Sequence, residues 1–252
     1  MLFSTVTWAQ LALVSGMTVF ASIVGGLAGY GTGLLLPLVL VPIIGAEAVV
    51  PVITVSAILT NLGRVIAFRA KFEPRTALMV MITALPTCLL GAWGYTRLGG
   101  RGASLLIGAM LIGLVPLRRL LKRLQLTLSP PAVAAASIGY GLLVGGTSGT
   151  GIVLLSILMA AGLEATAVIA TDAGISMGLG LAKIAIFQTF GALPLSSWLM
   201  AMLIGVLALP GAFIARWLAG RITARMHNGL LDAAVMLGGA LMFAGALRGP
   251  HD

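Results

Sequence analysis

Of 252 residues, 60% are hydrophobic and 8% charged, and the mean hydropathy is +1.13. A soluble domain carries about 25% charged residues, so this chain has too few to cover a water-facing surface. Membrane barrels are built from alternating strands of about ten residues, and the apolar runs here are longer and unbroken. What remains is an all-α integral membrane protein with no soluble domain. Glycine, at 34 of 252, is nearly twice its usual share of about 7%, which suits close helix packing and broken membrane helices.

The net charge of +9 raises the question of nucleic acid, and its placement answers it. Arg69, Lys71 and Arg75 form one short cluster, Arg118, Arg119, Lys122 and Arg123 a second, and Arg216, Arg221 and Arg225 a third. Short basic clusters between apolar spans follow the positive-inside rule, with contact to anionic lipid as the lesser alternative. The single cysteine, Cys88, leaves no disulfide framework and no cysteine-based metal site. No basic residue precedes the first apolar run, so the N-terminus reads as a membrane helix and not as a cleaved signal.

In chain order, the first span is expected from about Thr5 to Gly29, ending in the glycine-rich run Gly25 to Gly33. A short apolar helix follows, Leu34 to Ile44; at 1.5 Å per residue it covers roughly 17 Å, about half a membrane. Further spans are expected from about Ala46 to Phe68, Thr76 to Thr96 and Gly102 to Leu117, before the basic stretch 118–125 and the helix-start signal Ser129-Pro130-Pro131. The order then repeats. A span from about Pro131 ends in Gly145 to Gly151, a short helix runs from Ile152 to Ala161, and three spans follow at about 163–190, 195–219 and 228–247.

The repeat extends to particular residues. Gly31-Thr32-Gly33 returns as Gly149-Thr150-Gly151, a shift of 118. Gly45-Ala46-Glu47-Ala48 returns as Gly162-Leu163-Glu164-Ala165, a shift of 117, and Arg64 and Phe68 return as Lys183 and Phe187, a shift of 119. The expected units are 1–126 and 127–252, together about eight full spans plus two short segments. If each broken helix and its short partner enter and leave on one side, each half crosses an odd number of times and the halves are inverted. Ten Arg/Lys then lie inside and three (Arg97, Arg101 and Arg248) outside. Parallel halves would put Arg216, Arg221 and Arg225 outside, so the inverted reading is the better one.

Unwound backbone at membrane depth survives only where it lines a cavity or is buried in protein. The two glycine breaks therefore mark a candidate site, with the N-termini of the short helices offering backbone N–H groups and partial positive charge to an anion. Plain helix-packing glycines are the simpler alternative. Thr32, Ser148 and Thr150 would add hydroxyls. On the span after the first short helix, Thr54, Asn61 and Arg64 share one face; after the second, Asp172, Ser176 and Lys183 do so. Ionisable residues within a span mark ion pathways and proton relays by default. Against that, Arg64 and Lys183 can snorkel to the interface, and Asp172 can be tied up by Lys183 or by backbone. Thr171 is a further hydroxyl candidate, although such groups often bond their own helix. Glu47 and Glu164 are expected in the first turns of long helices as structural carboxylates. No His/Cys/carboxylate cluster with metal spacing and no nucleophile with a base is evident, so no enzyme and no cofactor is expected.

The glycine-rich run followed by Leu34-Leu-Leu-Pro-Leu38, the second glycine break, the helices opening on Glu-Ala and the chain length together resemble the sulfite exporter TauE/SafE family, one motif in each half. The resemblance implies a membrane permease for sulfite, sulfonates and related small anions. Tyr30 and Thr32 interrupt the first run, and Thr147, Ser148 and Thr150 the second. The resemblance therefore implies a small-anion permease more firmly than sulfite itself. The resulting expectation is an inverted-repeat secondary transporter, an exporter working by alternating access. Its substrate site is Gly29, Gly31, Thr32, Gly33, Asn61, Arg64, Ser148, Gly149, Thr150, Gly151, Ser176 and Lys183, with Asp172 as the proton-coupling group. An anion channel and a non-transporting membrane partner are the alternatives. The expected partners are a small inorganic or organosulfur anion and membrane lipid, with no nucleic acid; a homodimer stands as an option. The expected location is the inner cell membrane, with the N-terminus outside. Reporter fusions at Arg123 and Arg225 are both expected to report cytoplasm, and opposite sides would exclude the inverted layout.

Overall fold

A computed structural model describes residues 7–28, 32–124, 127–218, 239, 240 and 243. Nine α-helices lie within them: α1 (Trp8–Ala28), α2 (Thr32–Ile44), α3 (Ala46–Phe68), α4 (Pro74–Thr96), α5 (Gly100–Leu124), α6 (Pro130–Gly146), α7 (Gly151–Ala160), α8 (Ala165–Thr189) and α9 (Leu195–Leu218), with one 3-10 turn at Arg69–Lys71. Four of the described helices contain stretches long and apolar enough to cross a membrane, at Ala46–Ile66, Pro74–Thr96, Gly100–Leu117 and Thr166–Thr189. The protein is an all-helical membrane protein. All of the expected span at 228–247 except residues 239, 240 and 243, the turn residues Gly29 and Gly31, and Arg221 and Arg225 lie outside the described residues.

Helix boundaries follow the apolar runs closely, with two corrections. The span expected to stop at Leu117 continues as α5 through the basic stretch to Leu124. Leucine, arginine and lysine are all good helix formers, so the change from apolar to basic does not end the helix. Glu164 stands at the N-cap of α8, with extended backbone and no side-chain cap bond, one residue short of its expected first turn.

The second glycine break folds back on itself. The Leu128 N–H, just before α6, donates to the Ala160 carbonyl at the end of α7 at 2.7 Å. The two helices are thus a hairpin whose base is closed by this bond and whose tip is 147–150. At 1.5 Å per residue α6 is roughly 25 Å long and α7 roughly 15 Å, so the tip lies deep within the apolar layer.

Packing between the halves is reciprocal. α4 packs on α6 and α1 on α9, while α3 packs on α8; each expected half places its first helix against the fourth helix of the other. Directions follow from which residues meet. Arg64 meets Asp172, whereas Ile58 and Thr54 lie at Gly180. Contacts on α8 advance as those on α3 retreat, so these two helices run antiparallel. They are also the two that carry the matched Arg64 and Lys183, and antiparallel equivalents are what an inverted pair requires. α4 and α6, by contrast, run parallel: Gly141 meets Ala84 and Gly145 meets Cys88 and Ala92.

Gly141 and Gly145 form a small-xxx-small stripe that lets the α4 and α6 backbones touch. A β-carbon on Gly145 would press against the Cys88 carbonyl and fall 2.9 Å from the Ala92 nitrogen, and Thr87 adds a hydroxyl bond to the Ile138 carbonyl at 2.8 Å. Gly145→Val is expected to destabilise the protein by about 1–3 kcal/mol through overpacking. Gly139→Val, at an exposed position where a β-carbon meets nothing within 4 Å, should be near neutral. Thermal unfolding of both variants in one detergent checks the difference.

Candidate functional site

The hairpin tip meets the start of α2. A β-carbon on Gly33 would lie 2.6 Å from the Gly149 nitrogen, so the first turn of α2, which holds the expected turn residues Thr32 and Gly33, touches the second glycine turn backbone to backbone. The Ser148 hydroxyl donates to the Gly33 carbonyl at 3.0 Å, fastening one turn to the other. Gly149 has φ +81, and a β-carbon there would fall 3.0 Å from the Gly33 oxygen and 2.6 Å from Leu34. The left-handed backbone and the close approach both require glycine. No side chain caps the start of α7; its Val153 N–H turns back to the Thr150 carbonyl at 2.9 Å.

Behind the paired turns lies a cavity of about 130 Å³. A single water needs about 10–15 Å³ of such space, so a small anion with part of its hydration fits. Its lining includes Thr32, Gly33, Asn61, Arg64, Ser148, Gly149, Thr150, Gly151, Asp172, Ser176 and Lys183. Every described residue of the expected set therefore stands around one space; Gly29 and Gly31 fall outside the described residues. The helical spacing explains the grouping. Thr54, Asn61 and Arg64 come from one face of α3, and Asp172, Ser176 and Lys183 from the facing side of α8.

The charged groups sit differently from the alternatives weighed from sequence. Lys183 does not snorkel; it is 4% exposed. Its ammonium donates to the Val144 carbonyl at 2.5 Å and the Thr147 carbonyl at 3.2 Å. These carbonyls lie at the C-terminal end of α6, where no further helical turn can satisfy them and where the macrodipole favours a cation. The Phe187 ring lies 5.8 Å from the same ammonium. Asp172 pairs with Arg64 across the helix interface, 3.6 Å from Oδ2 to the guanidinium. That distance is an ion pair and too long for a hydrogen bond. The other carboxylate oxygen, Oδ1, is buried with no hydrogen-bond partner.

Thr60, Tyr140 and Thr147 also line the cavity and were not singled out as site residues from the sequence. Tyr140 is fully buried, with its hydroxyl among Ser176 and Thr150. A signal for it exists in the spacing: 140, 144 and 147 share one face of α6 and all three reach the cavity. The repeat gave no help, since a shift of 118 places Ser22 opposite Tyr140. Among the described residues no group of three or more His, Cys or carboxylates is placed to hold a metal ion.

Broken helices meeting at a polar cavity inside an apolar helical bundle are the architecture of a small-solute permease. The family model for sulfite exporter TauE/SafE matches residues 14–242. The chain belongs to that family, and is thus a multi-pass membrane permease of the kind associated with small sulfur-containing anions. No curated protein and no solved structure matched it.

Valine at Gly149 or Gly33 would force the two turns apart. Each is expected to lower anion flux per folded molecule by about tenfold or more, through the backbone clash at both positions and, at Gly149, left-handed strain of about 1–3 kcal/mol as well. Gly99→Val, where a β-carbon meets nothing closer than 3.9 Å, should transport normally. Flux into proteoliposomes, normalised to reconstituted protein, decides.

Proposed function

We propose that the chain is a secondary transporter that exports a small sulfur-containing anion, such as sulfite or an organosulfonate, across the inner membrane by alternating access. The observation that carries this reading is the meeting of two glycine turns at a cavity lined by Arg64, Asp172 and Lys183. Backbone N–H groups at the starts of α2 and α7, with the hydroxyls of Thr32, Ser148, Thr150 and Ser176, replace part of an oxyanion's hydration shell. Lys183 has three donors; two serve the α6 carbonyls and the third is left for the anion. Arg64 presents further guanidinium donors beside Asp172, in the planar fork that suits an oxyanion. Hydrogen bonds without a full cationic cage hold an anion and still let it go.

The antiparallel run of α3 and α8 supports an inverted repeat with halves 1–126 and 127–252, the symmetry on which alternating access rests in many transporters. Counting of basic loops supports an outside N-terminus. Asp172 is assigned to proton coupling. It is buried, its Oδ1 lacks a partner, and its other oxygen holds Arg64; a proton arriving there frees Arg64 for the substrate. Asp172→Asn is expected to abolish accumulation of sulfite driven by a pH gradient while leaving sulfite exchange measurable in proteoliposomes. An unchanged response to the gradient in that variant would make Asp172 a purely structural residue.

A further inference from the structure

We propose that the cavity takes up cargo carrying one net negative charge: a singly charged oxyanion by itself, or a doubly charged one only together with a proton on Asp172. This rests on the anion-permease reading and adds the substrate's charge class and a rule for its proton. The argument begins with an inventory. Among the cavity-lining residues two are cationic, Arg64 and Lys183, one is a carboxylate, Asp172, and the phenol of Tyr140 is neutral. With all three ionised, the side chains sum to one positive charge.

Helix ends do not alter that sum. α1 ends at Ala28 shortly before α2 begins at Thr32, and α6 ends at Gly146 shortly before α7 begins at Gly151. Each turn therefore joins a partial negative end to a partial positive one, and the two offset. Lys183 stands on the negative end of α6, bonded to Val144 and Thr147, and among the described residues it has no carboxylate partner. Its charge is the one left for cargo.

Uncompensated charge is costly in a low-dielectric interior, so a singly charged anion closes the balance and a doubly charged one overshoots it. Asp172 can correct the overshoot. Its Oδ1 is buried and unpartnered, and a proton added there restores neutrality with a doubly charged anion in place. The titratable groups that face Asp172 are Arg64 from α3 and Tyr140 from α6, with Lys183 on its own helix; Cys88 of α4 lies by Tyr140 and Lys183, and α7 offers no titratable group. Among the described residues Arg64 is the ion-pair partner of Asp172.

Methanesulfonate and sulfate are suited to the test, being tetrahedral, of similar size and of different charge. Binding of each to the purified full chain in lipid nanodiscs is measured from mildly acidic to neutral pH, the range in which Lys183 carries the charge that the balance counts. Methanesulfonate affinity is expected to stay level, and sulfate affinity to fall by up to about tenfold per pH unit, the slope of one linked proton. Asp172→Asn should make sulfate binding pH-independent and raise its affinity relative to methanesulfonate by at least about tenfold. Asp172→Glu, which keeps the charge, should retain the wild-type slope. A level sulfate profile in the wild type, or the same slope in Asp172→Asn, overturns the proposal. Failure of both anions to bind while sulfite transport persists overturns the charge rule alone; loss of sulfite transport as well takes the permease reading with it.

Discussion

A helix broken inside an apolar layer leaves carbonyls at one stub and N–H groups at the other, and lipid satisfies neither. The rest of this structure is arranged around that constraint. At the second break the carbonyls of Val144 and Thr147 are taken by Lys183, and the Gly33 carbonyl of the opposite turn is taken by Ser148. The Ser148 bond thus ties the second break to the start of α2. Lys183 serves two purposes by one contact: it satisfies the end of α6 and fixes a positive charge at the wall of the cavity.

Glycine makes the meeting possible at two scales. At the turns, Gly33 and Gly149 allow backbone to touch backbone. Along α4 and α6, Gly141 and Gly145 bring two whole helices into contact, which holds the hairpin tip where α2 can reach it. Neither contact involves a charged or reactive group, yet both determine where the charged groups stand.

The two proposed halves differ in chemistry. Arg64 and Lys183 occupy equivalent places near the far ends of α3 and α8, but the position equivalent to Asp172 under a shift of 118 is Thr54, which bonds its own helix at Val50. One carboxylate among two cations is therefore a property of the assembled pair and of neither half. The ion pair of Asp172 with Arg64 joins α8 to the antiparallel α3.

Much of this was open to reading in the sequence. Composition set the class, because a chain with so few charges cannot face water. The half-length helices after each glycine run marked the breaks, and helical spacing placed Thr54, Asn61 and Arg64 on one face and Asp172, Ser176 and Lys183 on another. Periodicity, however, orders side chains only around their own axis. It does not say which helix lies opposite or in what register. The pairing of Asp172 with Arg64, the seating of Lys183 on the end of α6, and the entry of Tyr140 into the cavity each depended on how two helices approach. That was decided by tertiary contact, where the absence of a β-carbon at a few glycines lets one backbone come close enough to set the register of all the rest.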